Sequence, residues 1–111
     1  RSLDPPERAY IAARGIRLLD SARVQESVDG WDASPVYAHI DLDVLDPREY
    51  PNLKCPEGGG LAIAALAGLL DRLVASGRLV GLSLLENTAT ARAHLERLAP
   101  ILDAARRLGH A

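Results

Sequence analysis

The stretch Val36-Tyr37-Ala38-His39-Ile40-Asp41-Leu42-Asp43-Val44-Leu45-Asp46-Pro47 places a strand-forming run directly before a cluster of acids. Its first five residues are rich in side chains that favour strands. Because side chains alternate between the two faces of a strand, Asp41 and Asp43 are expected to point the same way. The sequence therefore predicts a strand that carries two carboxylates at its carboxyl end.

The downstream region continues this strand into a strand–helix–strand pattern. Apolar residues at positions 66, 69, 70, 73 and 74 have helical spacing, and Gly77 is placed to end that helix. Leu79–Leu85 is then almost continuously apolar, as expected of a strand covered on both faces. Two strands joined through a helix form a right-handed crossover with a parallel sheet. The predicted class is therefore α/β.

The two ends of the chain are predicted to be largely helical. Asp4 and Glu7 form a capping-box pattern for a first helix, which Gly15 is placed to end. Ile16–Leu19 is short and apolar enough for another strand, and Ser21 is expected to begin a brief polar helix. Pro100 is expected to kink or divide the last helix, whose apolar positions are Leu95, Leu98, Leu102, Ala105 and Leu108.

The paired acids have two explanations that their spacing alone leaves open. Two ionised carboxylates at this distance repel each other, and a divalent cation at the carboxyl edge of the sheet would offset the repulsion. Alternatively, the acids serve the backbone: Asp46-Pro47 is typical of a turn, and Asp41 is able to bond the following loop. Both a metal site and a turn remain open at this point.

Composition excludes several classes of function. The chain has 111 residues, 48% hydrophobic and 25% charged, which indicates one ordinary globular domain. Thirteen basic against fifteen acidic residues give a formal charge of -2, so nucleic-acid binding is disfavoured. No apolar run approaches the roughly 20 residues that span a bilayer, so no membrane partner is expected. The single cysteine, Cys55, excludes an intrachain disulfide, and we expect a cytoplasmic location.

The chain contains no methionine, so we expect it to be a piece of a longer protein. Four motifs follow one another along it: Arg1-Ser2-Leu3-Asp4-Pro5-Pro6-Glu7, then His39 to Pro47, then Cys55-Pro56-Glu57-Gly58-Gly59-Gly60-Leu61, then Gly81-Leu82-Ser83-Leu84-Leu85-Glu86. In content and order they resemble the C-terminal half of the ureohydrolase superfamily of arginases, agmatinases and formimidoylglutamases. The resemblance implies that residues 1–111 are the C-terminal part of a single domain, with a partial three-layer αβα fold and a parallel sheet.

The resemblance also implies a site with two manganese ions. Asp41 and Asp43 match metal ligands of the family, in which a hydroxide between the ions attacks the guanidinium or amidine carbon of a small-molecule substrate. Glu86 matches the glutamate that faces the substrate's cationic group. His39 and Asp46 are expected to orient the ligands rather than to bind metal. A homo-oligomer is a further expectation.

Other features limit what the resemblance can assign. The family's remaining ligands, a histidine and a D-x-D-x-H cluster, are expected upstream of this chain, since His94 and His110 are expected to be solvated surface residues. Asn52–Cys55 replaces a Gly/Thr-rich loop of the family, and Ser83 stands where many members have Asp. The choice among arginine, agmatine and formimidoylglutamate types of substrate therefore stays open.

Two other functions also stay open. One is a non-catalytic fragment or relative with a role in assembly or structure. The other is an unrelated magnesium-dependent phosphoryl-transfer site that uses D-x-D, although the chain lacks the adjoining Thr and Lys that would position a phosphate. Since two ligands cannot enclose two ions, we expect the isolated chain to be inactive.

Overall fold

Helices and strands alternate along the chain in the computed structural model, which describes residues 3–28 and 32–108. In chain order the elements are α1 (Pro5–Ala13), a 3₁₀ helix (Ser21–Val28), β1 (Val36–Asp41), a 3₁₀ turn (Leu42–Val44), α2 (Ile63–Ala75), β2 (Leu79–Leu85), α3 (Arg92–Leu95), a 3₁₀ turn (Glu96–Leu98) and α4 (Ala99–Leu108). The predicted strands at 36–40 and 79–85 and the helices around them are confirmed.

The two strands form a parallel pair, as predicted. The register places Tyr37 beside Gly81 and Asp41 beside Leu85. Because the two strands run parallel, the carboxyl ends of β1 and β2 emerge at the same edge of the sheet. This edge carries the acids that the sequence singled out.

The core lies between one face of the sheet and the helices α2 and α4. Ile40 on β1 is 9% exposed, Leu70 on α2 is 1% exposed and Ile101 on α4 is fully buried, and all three belong to one apolar cluster. Burying a side chain of this size stabilises a fold by roughly 1.5–3 kcal/mol. This packing fixes the strands, and therefore their ends, against the helices.

The opposite face of the sheet is open among the described residues. Burial alternates along β1, with Tyr37 and His39 exposed between the core-facing positions, and Leu85 lies beside Asp41 on β2. Tyr37 is 63% exposed and Leu85 is 44% exposed. We call the surface formed by Tyr37, His39 and Leu85 the open face. Apolar groups of this size in a sheet are ordinarily covered by another layer.

The first helix begins as the sequence predicts, but the strand expected after it is wrong. Asp4 accepts from the Glu7 amide at 2.8 Å and Glu7 accepts from the Asp4 amide at 2.8 Å, which completes the capping box. Ile16–Leu19 has irregular backbone instead of a strand. Its first amide, Ile16 N, donates to the Ile11 carbonyl at 3.1 Å and closes the helix. A strand also needs a neighbouring strand, and no described segment pairs with this one.

The predictions that Gly77 ends the middle helix and that Pro100 divides the last helical region are both confirmed. Gly77, with φ of +68°, follows α2 in a left-handed conformation that glycine adopts without strain. Pro100 is the second residue of α4, where its missing N–H costs no helical hydrogen bond, and the last helical region is divided just before it. Among the described residues, no helix is long and apolar enough to cross a membrane.

A long loop leaves the end of β1 and returns to it before α2 begins. The Asp46 amide donates to the Leu61 carbonyl at 2.9 Å, and the Leu61 amide donates to the Val44 carbonyl at 2.8 Å. Gly60 permits this close approach, since a Cβ there would lie 2.5 Å from the Leu45 carbonyl carbon. The loop is thereby anchored beside the two acids.

Candidate functional site

Two carboxylates stand at the carboxyl end of β1, one on the strand and one on the turn that follows. Asp41 is the last residue of β1, and its Oδ1 accepts from the Asp43 amide at 2.8 Å. This bond caps the 3₁₀ turn Leu42–Val44. The expectation that the Asp41 side chain bonds the backbone of the following loop is therefore confirmed. The expectation that Asp43 shares a strand face with Asp41 is wrong, because the strand ends before Asp43.

The two acids nevertheless line one cavity, of about 940 Å³. Cys55 lies beside them in the cavity wall, and its amide donates to Asp43 Oδ2 at 2.9 Å. Arg8 of α1 and Ser21 contribute to the wall as well. Turn formation and loop packing, rather than strand alternation, therefore bring the two carboxylates into the same cavity.

His39 lies on the open face and bonds sideways to the neighbouring strand. Its Nδ1 is 3.0 Å from Ser83 Oγ, the residue beside it in the register. Its expected role in orienting the ligands stays a prediction. His94 is exposed on α3, as expected of a surface residue, and His110 lies outside the described residues.

Asp46 is a buried carboxylate whose partner is an arginine that sequence analysis missed. Its side chain is 7% exposed and its two oxygens accept from Nε and Nη2 of Arg48 at 2.9 and 3.0 Å. The hydrogen bonds from Arg48 lower the pKa of Asp46 to about 2. Asp46 is not among the residues that line the cavity. In this structure it holds the loop after β1, and its influence on the metal ligands stays a prediction.

Glu86 follows β2 directly and lies at the same edge of the sheet as Asp41, as predicted. The register pairs Leu85 with Asp41, which puts Glu86 one residue beyond that pair. It does not line the cavity that contains the two aspartates. Its φ of +65° is unusual for a residue other than glycine.

Two further residues in the loop after β1 were missed by sequence analysis. Tyr50 is fully buried, and its hydroxyl donates to Asn87 Oδ1 at 2.7 Å. Glu49 Oε2 accepts from the Ile63 amide at 2.5 Å and so caps α2, whose N-cap residue provides no side-chain bond. These contacts join residues 14 to 37 positions apart. The one feature of the sequence that could have pointed to these contacts is the presence of a tyrosine and a glutamate within a proline-rich loop.

The donor set among the described residues fits part of a metal site but does not complete one. Carboxylate oxygens suit hard or borderline divalent ions such as manganese. Asp41 and Asp43 both face one cavity, as shared ligands must. Across residues 3–28 and 32–108, however, no group of three or more His, Cys, Asp or Glu side chains is placed to hold a metal ion.

Fold and site together define a parallel α/β protein with a carboxylate-bearing cleft at the strand ends. A sequence model of the arginase family matches residues 1–97. The chain belongs to the arginase family, and the resemblance recognised from its motifs is confirmed.

Curated relatives of the chain include two bacterial hydrolases. It is 32% identical over 117 residues to N(omega)-hydroxy-L-arginine amidinohydrolase of Streptomyces lavendulae, covering 95% of this chain and 42% of the relative. It is 41% identical over 73 residues to formimidoylglutamase of Chromobacterium violaceum, covering 65% of this chain and 23% of that relative. The chain thus spans less than half the length of either.

Solved structures confirm the predicted fold class. Arginase from Bacillus subtilis superposes with a TM-score of 0.80 at 25% identity, over 98% of this chain and 42% of the arginase. The chain therefore has part of the arginase fold, with its parallel sheet and flanking helices.

Proposed function

We propose that this chain supplies the carboxylate side of a two-manganese centre in a hydrolase of linear amidines or guanidines. The observation that carries the proposal is that Asp41 and Asp43 line one cavity at the carboxyl edge of a parallel sheet. That edge is where open α/β sheets bind their ligands. The names of the two curated relatives, an amidinohydrolase and a formimidoylglutamase, support the same reaction class.

Asp41 and Asp43 would hold the metal ions through their carboxylate groups. Asp41 Oδ1 is engaged by the Asp43 amide, and Asp43 Oδ2 is engaged by the Cys55 amide. Such bonds fix a carboxylate in one orientation. When bound, the two ions supply a water molecule of lowered pKa as the nucleophile.

Glu86 would recognise the cationic group of the substrate. A carboxylate forms charge-assisted hydrogen bonds with the planar set of N–H donors that a guanidinium or amidinium presents. Its position one residue past the Asp41–Leu85 pair supports this role, since the substrate must reach both the metal ligands and its own counter-ion. Glu86 binds and orients in this proposal and transfers no proton.

Within residues 3–28 and 32–108, no group of three ligands is placed to hold a metal ion. We therefore propose that residues beyond these ranges supply the other ligands. The same observation favours a second candidate, a non-catalytic relative whose role is assembly. The cytoplasmic location and the homo-oligomer remain predictions under either candidate.

Hydrolysis assays on the full-length product of the gene test the proposal. The protein is loaded with manganese and offered arginine, agmatine and formimidoylglutamate, and release of urea, ammonia or formamide is measured. We expect turnover of one of these substrates, and we expect its loss in Asp41→Asn. Asp103→Asn, on the exposed surface of α4, is the matched control and should retain activity. Failure to hydrolyse any of the three would favour the non-catalytic candidate.

A further inference from the structure

The backbone at Glu86 adopts a conformation that the surrounding structure has to maintain. Glu86 has a φ of +65°, and among the described residues it is the one residue other than glycine with a positive φ. A side chain disfavours this region because its Cβ crowds the carbonyl oxygen, so such residues persist only where neighbouring contacts fix them. The position of the Glu86 carboxylate therefore depends on what holds the following residues.

Asn87, the residue that follows Glu86, is held in place by contacts with the loop after β1. It pairs with Leu53 in an isolated antiparallel bridge. Its Oδ1 accepts from the Tyr50 hydroxyl at 2.7 Å and from the Ala89 amide at 3.1 Å. Because Tyr50 is fully buried, its ring has no freedom to follow a moving partner. The Tyr50–Asn87 hydrogen bond thus fixes the chain immediately after Glu86.

The same loop also reaches the metal-binding carboxylates. The Thr88 amide donates to the Asn52 carbonyl at 3.2 Å, and three residues later the Cys55 amide donates to Asp43 Oδ2 at 2.9 Å. Segment 50–55 therefore contacts both the residues after Glu86 and the side chain of Asp43. It joins the two parts of the proposed site, although it lies outside both strands.

Burial also keeps the hydroxyl of Tyr50 able to donate. Desolvation raises the pKa of Tyr50 above its ordinary value, because the charged phenolate is disfavoured in an apolar environment. The hydroxyl therefore stays protonated at neutral pH, as that of an ordinary tyrosine also does, and is able to donate to Asn87.

We propose that Tyr50 is a positioning residue that holds the Glu86 carboxylate for the substrate's cationic group, through its hydrogen bond to Asn87. The inference rests on the proposed function of Glu86. A tyrosine that only filled the core would need its ring and not its hydroxyl, and would leave substrate affinity unchanged when the hydroxyl is removed. The two roles therefore predict different results for one small substitution.

Tyr50→Phe in the full-length product of the gene is the test, with Tyr10→Phe on the exposed surface of α1 as the matched control. We expect Tyr50→Phe to raise KM by about tenfold, with kcat and manganese content within twofold of the parent. We expect Tyr10→Phe to leave KM, kcat and manganese content unchanged. Asn87→Ala, which keeps the core tyrosine, should reproduce the rise in KM if Tyr50→Phe fails to fold.

Combination with Glu86→Gln decides whether Tyr50 acts through Glu86. If it does, adding Tyr50→Phe to Glu86→Gln produces no further rise in KM. Multiplicative effects of the two substitutions, or an unchanged KM in Tyr50→Phe, would overturn the proposal.

A structural measurement separates failure of this inference from failure of the proposed function. If no substrate is hydrolysed, or if Glu86→Gln leaves KM unchanged, the proposed role of Glu86 is wrong. The crystal structure of Tyr50→Phe then tests the positioning alone. We expect the backbone of Glu86 to leave the positive-φ region, and its retention there would overturn the inference.

Discussion

Replacement of Gly60 by alanine should destabilise the protein strongly, because the loop after β1 approaches the chain there without room for a side chain. An ideal Cβ at Gly60 lies 2.5 Å from the carbonyl carbon and oxygen of Leu45 and 2.6 Å from the Asp46 nitrogen. All three are backbone atoms, which cannot rotate away as the end of a side chain can. The two segments must therefore separate.

The size of the effect follows from the bonds that separation breaks. The Asp46 amide bonds the Leu61 carbonyl at 2.9 Å and the Leu61 amide bonds the Val44 carbonyl at 2.8 Å. Two such bonds at about 1 kcal/mol each, together with about 1–3 kcal/mol for overpacking, give a loss of about 3–5 kcal/mol. The bonds lie beside Asp43, so manganese affinity should fall as well.

Urea unfolding of the full-length product measures this loss, and Gly58→Ala is the matched control. A Cβ at Gly58 meets nothing within 4 Å, and its φ is not positive. We therefore expect Gly58→Ala to change the free energy of unfolding by less than about 0.5 kcal/mol. Equal stability of the Gly60→Ala and Gly58→Ala proteins would refute the argument from close approach.

Three further predictions concern the ion pair, the helix cap and the open face. Since Arg48 lowers the pKa of Asp46 to about 2 from its ordinary value of 3.8, the carboxylate stabilises the fold above about pH 4, and this contribution is lost as pH falls towards 2. Arg48→Met should flatten the pH dependence of unfolding in that range, and an unchanged slope would contradict it. Glu49→Ala should lower the free energy of unfolding by about 1–2 kcal/mol through loss of the bond to the Ile63 amide, and unchanged stability would show that the cap is dispensable. The 111-residue chain alone should associate through its open face and show no hydrolysis, so sedimentation as a monomer, or activity equal to the full-length product, would contradict this prediction.

Local patterns were sufficient to predict the parts of the fold that depend on neighbouring residues. Strand-favouring residues located β1, an apolar run located β2, and the spacing of Leu66, Leu70 and Leu73 located α2. The capping pair at the start of α1 was equally local. The wrong strand at Ile16–Leu19 has a different cause, since a strand depends on a distant partner for its hydrogen bonds.

The sequence nominated residues for the candidate site but did not predict their geometry. Asp41 and Asp43 were nominated by their spacing and by the family resemblance, yet a 3₁₀ turn and not strand alternation places Asp43 in the cavity. The Cys55 amide reaches Asp43 from 12 positions away, and the Tyr50 hydroxyl reaches Asn87 from 37 positions away. Contacts between residues so far apart depend on the packed loop, and no local pattern encodes them.

The manganese content of two aspartate variants tests the central claim most directly. Asp41→Asn and Asp43→Asn keep an oxygen for the backbone amides that bond these side chains, so folding should be preserved while a charged ligand is lost. Measured by metal analysis of the purified full-length product, each variant should lose manganese while Asp103→Asn retains the content of the parent. Full manganese content in both Asp41→Asn and Asp43→Asn would contradict the assignment of these carboxylates as metal ligands.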